Sequence, residues 1–133
     1  MATTTATITL SSSDLTGDAL ALSTTATLTK AGNSTGLTQT TGIGRKTTSS
    51  TSQYTLFDGS TYGTGAHKVY LKNTSTIAGE YLSVVINAEK MGNLYAGDWA
   101  FFPWAADADT SDIKIQPSVA TAVTLEYALF IDE

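Results

Sequence analysis

The sequence contains no cysteine, which excludes a disulfide framework, a thiolate metal site and a cysteine nucleophile. Stability therefore has to come from packing and from backbone hydrogen bonds. Charge is also scarce: 14% of residues are charged, against about 25% in an ordinary soluble domain. The 12 acidic and 7 basic residues leave a net charge of −5. That balance supplies no positive field for phosphate backbones, so nucleic acid is not an expected partner. No apolar run approaches the roughly 20 residues that a membrane-spanning helix needs. The opening Met-Ala-Thr-Thr-Thr has neither a basic n-region nor an apolar h-region, so synthesis in a cytoplasm without a signal peptide is expected.

What the chain has in quantity is hydroxyl groups, with 25 threonines and 13 serines among 133 residues. Threonine is β-branched and suits a pleated, half-exposed surface. Apolar residues recur with a period of two from end to end, and no segment holds a helical stripe. Ile8 and Leu10 alternate with threonines, then Leu20, Leu22, Ala26 and Leu28 do the same. From Ser34 to Ser52 the alternation fades among Gly36, Gly42 and Gly44, which predicts one long flexible loop. Tyr54 to Phe57 reads as a short strand. Val69 and Leu71, then Leu82, Val84 and Ile86, read as two neighbouring antiparallel strands. After Met91-Gly92-Asn93 come Leu94 and Tyr95, and then the most apolar stretch, Trp99 to Trp104, which Pro103 confines to an edge or a strand end. Ile113 and Ile115 form a further strand. The last, Val123 to Phe130, is apolar enough to be central.

Eight or nine short strands at this spacing predict an all-β, two-sheet antiparallel sandwich built as one domain over residues 1–133. A jelly roll accommodates the strand count and the mixture of tight turns and long crossovers. An immunoglobulin-like sandwich is the second choice, since its Cys and Trp signature is missing.

No motif calls for catalysis or for a cofactor. His67 is the only imidazole available to a hydroxyl nucleophile, and no nucleophile elbow surrounds any serine or threonine, so a structural role is expected for it. Two of the acids could meet in space as a hydrolytic pair, although most sit in turns and at strand ends. Asp107, Asp109 and Asp112 resemble the opening of a calcium loop, but the glycine of that turn is missing and Ser118 stands where the bidentate glutamate belongs. A solvated turn is the plainer reading. Asn33-Ser34-Thr35 and Asn73-Thr74-Ser75 match a glycosylation acceptor but read as turns.

The aromatic group Tyr95, Trp99, Phe101, Phe102 and Trp104 is the remaining feature. Alternate strand residues point to opposite faces, so Trp99, Phe101 and Pro103 share one face, and Phe102 and Trp104 share the other. Both faces are apolar. One fills the domain's own core, and the other needs a further layer or a neighbouring molecule, which predicts an oligomer.

The strings Lys68-Val69-Tyr70-Leu71-Lys72-Asn73-Thr74-Ser75, Leu94-Tyr95-Ala96-Gly97-Asp98-Trp99, Phe101-Phe102-Pro103-Trp104, Ile115-Gln116-Pro117-Ser118 and Leu125-Glu126-Tyr127 resemble small virion structural proteins of tailed bacteriophages, particularly marine ones. The resemblance covers most of residues 66–130. It implies a jelly-roll or related fold, often trimeric, that sits on a capsid as cement or decoration, or forms part of a tail or head fibre. On that expectation the partners are capsid or other virion proteins and further copies of the chain, the location is the virion, and the protein is not an enzyme. The expected contact elements are Trp99, Phe102, Trp104 and Tyr95, with Gly36, Ile43 and Arg45 from the glycine-rich stretch. A carbohydrate- or receptor-binding module of a fibre is the alternative, resting on exposed Trp or Tyr beside acids such as Asp98.

Overall fold

A computed structural model describes residues 4–15, 17–29, 37, 39–63, 65, 67–107 and 109–132. The chain is all-β and antiparallel. Among the described residues there are eleven strands: β1 (Thr4–Ser12), β2 (Leu20–Leu28), β3 (Gln39–Thr40), β4 (Gly44–Thr48), β5 (Tyr54–Phe57), β6 (His67–Asn73), β7 (Tyr81–Ile86), β8 (Glu89–Tyr95), β9 (Trp99–Trp104), β10 (Ile113–Pro117) and β11 (Val123–Ile131). One helical turn, α1 (Gly59–Tyr62), follows β5, and Asp58 caps it by accepting from the Ser60 amide.

The chain divides into two compact units, Met1–Thr38 and Gln39–Glu133, where one domain is expected from the sequence. The first unit holds β1 and β2, paired through nine consecutive residues without a bulge. Its register puts Ala6, Ile8 and Leu10 on the same face as Leu20, Leu22 and Ala26, while Thr5, Thr7 and Thr9 share the opposite face with Ser23, Thr25 and Thr27. On the hydroxyl face, Thr7 and Thr25 bond across the strands at 2.8 Å. The apolar alternation is thus real, but it belongs to a two-stranded ribbon, and Leu10 and Leu22 each remain 49% exposed.

The second unit is a sandwich. Four antiparallel pairs, β4 with β11, β5 with β10, β6 with β9 and β7 with β8, make this unit a single long ribbon folded back on itself. The innermost turn is Asn87-Ala88, both with positive φ. Pairing of β6 with β11 and of β7 with β10 then rolls the ribbon into two sheets. One sheet runs β5-β10-β7-β8. The other runs β4-β11-β6-β9, with β3 on the same side of β11 as β4. Phe57, Leu82, Val84, Ile113 and Ile115 from the first sheet meet Val69, Leu71, Phe102, Trp104, Leu125 and Leu129 from the second in one core. The strand β11 is central, and Pro103 lies on β9 at a sheet edge, where a missing amide costs no ladder bond.

Two expectations are corrected. The strands β6 and β7 are not neighbours but lie in different sheets, because residues 74–80 carry the chain across the sandwich rather than around a hairpin. Part of the 34–52 stretch is strand, not loop. The side chains of β4 are largely exposed, so no apolar alternation marks it, and it is held instead by its backbone ladder to β11 and by the pair Thr47–Thr124 at 2.7 Å.

Candidate interaction surface

The outer face of the β4-β11-β6-β9 sheet follows from register. Arg45, Glu126, Lys72 and Trp99 form one row across the four strands, and Ala128, Tyr70 and Phe101 form the next. Phe130, Lys68 and Pro103 form a third. Phe101 and Phe130 meet edge to face with centroids 6.2 Å apart. Ala128 is covered although it points outward. Trp99 remains 51% exposed.

The same face carries a charged clamp. Arg45 donates from Nε and Nη2 to Oε2 of Glu126 at 3.0 and 2.8 Å, and the Tyr70 hydroxyl donates to Oε1 at 3.1 Å. The hydrogen bond from Arg45 is the main reason the Glu126 carboxyl sits below its ordinary range, helped by Tyr70 and by the charge of Lys72. Burial, and then the bond to Glu126, raise the Tyr70 hydroxyl. Aromatic side chains and arginine are the residues over-represented at the centres of protein interfaces.

Among the residues expected to make contacts, Trp99 and Arg45 fall in the same row of this face. Tyr95 lies on the other sheet, 47% exposed, its ring 5.2 Å from that of Tyr81. Ile43 is exposed between β3 and β4. Gly36 lies outside the described residues. Phe102 and Trp104 are a correction, because both are core residues. Trp104 packs against Phe57 and His67, and its indole nitrogen donates to the Ser111 carbonyl at 2.8 Å. The strand has two apolar faces, and the inward one is the Phe102 and Trp104 face. Tyr70, Phe101 and Phe130 are the outward residues absent from that expectation. The signal for them was parity with Trp99 on β9 and with the charged residues of β6 and β11.

His67 is fully buried. Its Nδ1 accepts from the Asp132 amide at 3.0 Å, which leaves Nε2 to donate to the Gly63 carbonyl at 3.1 Å. Both ring nitrogens are thus occupied by backbone. Asp112 is occupied as well: Oδ1 accepts from the Gly59 amide at 2.9 Å, and Oδ2 lies 3.8 Å from Lys114. The side chain of Asp109 lies outside the described residues. No three metal-ligating side chains converge among those described. Glu80, buried at the sandwich edge, accepts from Ser75 at 2.5 Å and from Thr121 at 3.2 Å. On the outer face of the other sheet, a shallow trough of about 220 Å³ is lined by Tyr81, Ser83, Lys90, Gln116 and Ser118. Among the described residues no helix is long and apolar enough to cross a membrane.

Comparison with models of known protein families gives no match, and no relative is found among curated proteins.

Proposed function

We propose that this chain is a non-enzymatic structural protein of a phage particle, a capsid cement or decoration protein that binds the lattice as an oligomer. The observation that carries the reading is the outward aromatic face, where Trp99, Tyr70, Phe101 and Phe130 lie beside the Arg45–Glu126 clamp. A face of this kind is suited to burial against a protein surface rather than to chemistry. The pairing of β4 with β11, β5 with β10, β6 with β9 and β7 with β8 supports a jelly-roll reading of the sandwich. That architecture recurs in viral capsid proteins and in lectins, which is an argument by analogy of fold. The acidic balance speaks against a role in packaging nucleic acid.

A second reading, a carbohydrate-binding module of a fibre, is favoured by the trough beside Tyr81 and Tyr95, whose amide, hydroxyl and amine groups suit sugar hydroxyls. Electron cryomicroscopy of particles produced with this gene separates the two. Copies repeated over the capsid lattice, lost when Trp99 and Phe101 are replaced by serine, are expected for the cement. Copies confined to a fibre, or particles without the protein, would remove that reading.

A further inference from the structure

The first unit, taken by itself, poses a packing problem. An isolated two-stranded hairpin is at best marginally stable in water, and this one buries Leu28 but leaves Leu10 and Leu22 of its apolar face 49% exposed and Leu20 39% exposed. Apart from the Leu28 carbonyl, which accepts from the Leu37 amide at 3.1 Å, its edges are unprotected as well. Long edge strands ordinarily carry a lysine, a proline or a bulge that discourages further pairing. Neither nine-residue strand contains a charged residue, a proline or a glycine, and their register is unbroken. The ribbon therefore has one greasy face and two uncharged edges able to accept another strand.

We infer that the hairpins of three copies pair edge to edge into a closed six-stranded β-barrel. The occupant is a copy of this chain because a threefold axis along the strands sets β1 of one copy against β2 of the next. That pairing is antiparallel, as within the hairpin, and between two edges that carry no charge to oppose it. Ile8, Leu10, Leu20, Leu22 and Leu28 then fill the interior, with Ala6 and Ala26 leaving room for them and Thr4, Ser12 and Thr24 sharing that face, while the Thr5 to Thr9 face meets water.

Area decides against two copies. A nine-residue ribbon is roughly 30 Å long and about 10 Å wide, so two ribbons face to face bury on the order of 600 Å², half of what a stable interface needs, and leave every edge open. A ring of four strands is too narrow for inward leucines, and six, the next number that whole hairpins allow, is the smallest ring with room for them. Closure alone removes the edges.

The inference deepens the assembly role proposed above and rests on it for the expectation that copies meet. Sedimentation equilibrium of the full chain at micromolar concentration is expected to give three times the 13.9 kDa monomer mass. The double variant L10D/L22D is expected to reduce this threefold, to monomer. T7K/T25K, which places charge on the outward face, is expected to remain trimeric. Both tryptophans lie in the second unit, so an unchanged near-ultraviolet spectrum shows that the sandwich is intact in each variant. Hydrogen exchange on the wild type needs no variant, since a ring protects all the amides of β1 and β2 and a lone hairpin protects alternate ones. A monomeric wild type, a trimer that survives L10D/L22D, or exchange at alternate amides would each overturn the barrel. A trimer that never decorates particles would remove the capsid role and leave the barrel standing; decoration by monomers would do the reverse.

Discussion

The side chain of Asn73, at the end of β6, donates to the carbonyl of Leu94 in β8 at 3.0 Å, a bond that passes from one sheet of the sandwich to the other. Asn73 is fully buried and every polar group it has is used. Its amide donates to the Asp98 carbonyl, its own carbonyl accepts from the Gly97 amide, and Oδ1 accepts from the Ser75 amide. One residue thus fixes both the β6 exit and the turn between β8 and β9. Asn73→Leu keeps the branched shape, with bulkier methyl groups, and strands at least two backbone groups away from water, at about 1–3 kcal/mol each. A melting temperature lowered by roughly 10 °C or more is expected for a unit of this size, read by tryptophan fluorescence. A shift within about 2 °C would show that the bond contributes little.

The two tryptophans of β9 are expected to respond oppositely. Trp104→Ala empties a buried site and removes the indole hydrogen bond to the Ser111 carbonyl, at about 3–5 kcal/mol. Trp99→Ala removes a half-exposed ring, with a cost near 0.5 kcal/mol. In a particle-binding assay the order inverts, since the proposed role places Trp99 at the contact. Denaturant melts of both variants, beside retention on particles, test the assignment of the two faces.

Which parts of this architecture the residues announce follows from how they bury. The strand β6 alternates cleanly because one face lies in the core, and β11 does so as far as Glu126, so their pattern is legible. The two faces of β9 are legible too, but not which is inward, because Trp99, Phe101, Phe102 and Trp104 are all apolar, and only the sheet opposite settles the choice. The strand β4 is invisible to periodicity because it buries little. The separation of β6 from β7 into two sheets depends on where the 74–80 crossing lands, which no local preference encodes. The β1–β2 ribbon shows the converse limit: its alternation is as regular as that of a sandwich strand, yet it forms a unit of its own.

The turn between β7 and β8 offers a stabilising change. Asn87 and Ala88 have φ of 52° and 60°, the arrangement of a two-residue hairpin turn in which glycine normally takes the second position. Alanine there places its Cβ against the backbone, at about 1–2 kcal/mol, and part of that gain is returned as greater freedom of a glycine in the unfolded chain. Ala88→Gly is expected to stabilise the sandwich by about 0.5–1 kcal/mol, visible as a raised urea midpoint with an unchanged slope. A lower midpoint would mean that the left-handed conformation carries no strain.

The clamp on the outer face predicts a dependence on pH. Because Arg45, then Tyr70 and Lys72, hold the Glu126 carboxyl below its ordinary value of 4.5, the folded protein binds that proton less readily than the unfolded chain does. The resulting stabilisation is fully present above the ordinary value and is lost as pH falls through that range toward the lowered one. Arg45→Met removes the largest cause, so the variant is expected to melt below the wild type at pH 7, with the gap closing as pH is lowered beneath 4.5. Salt is expected to narrow the gap as well, since the Arg45 side chain is 69% exposed and its charge is screened. Thermal melts of both proteins from pH 7 to pH 3 read the difference directly. A gap that stays constant across the range would show that Arg45 acts through packing of its stem on β11 and not through its charge.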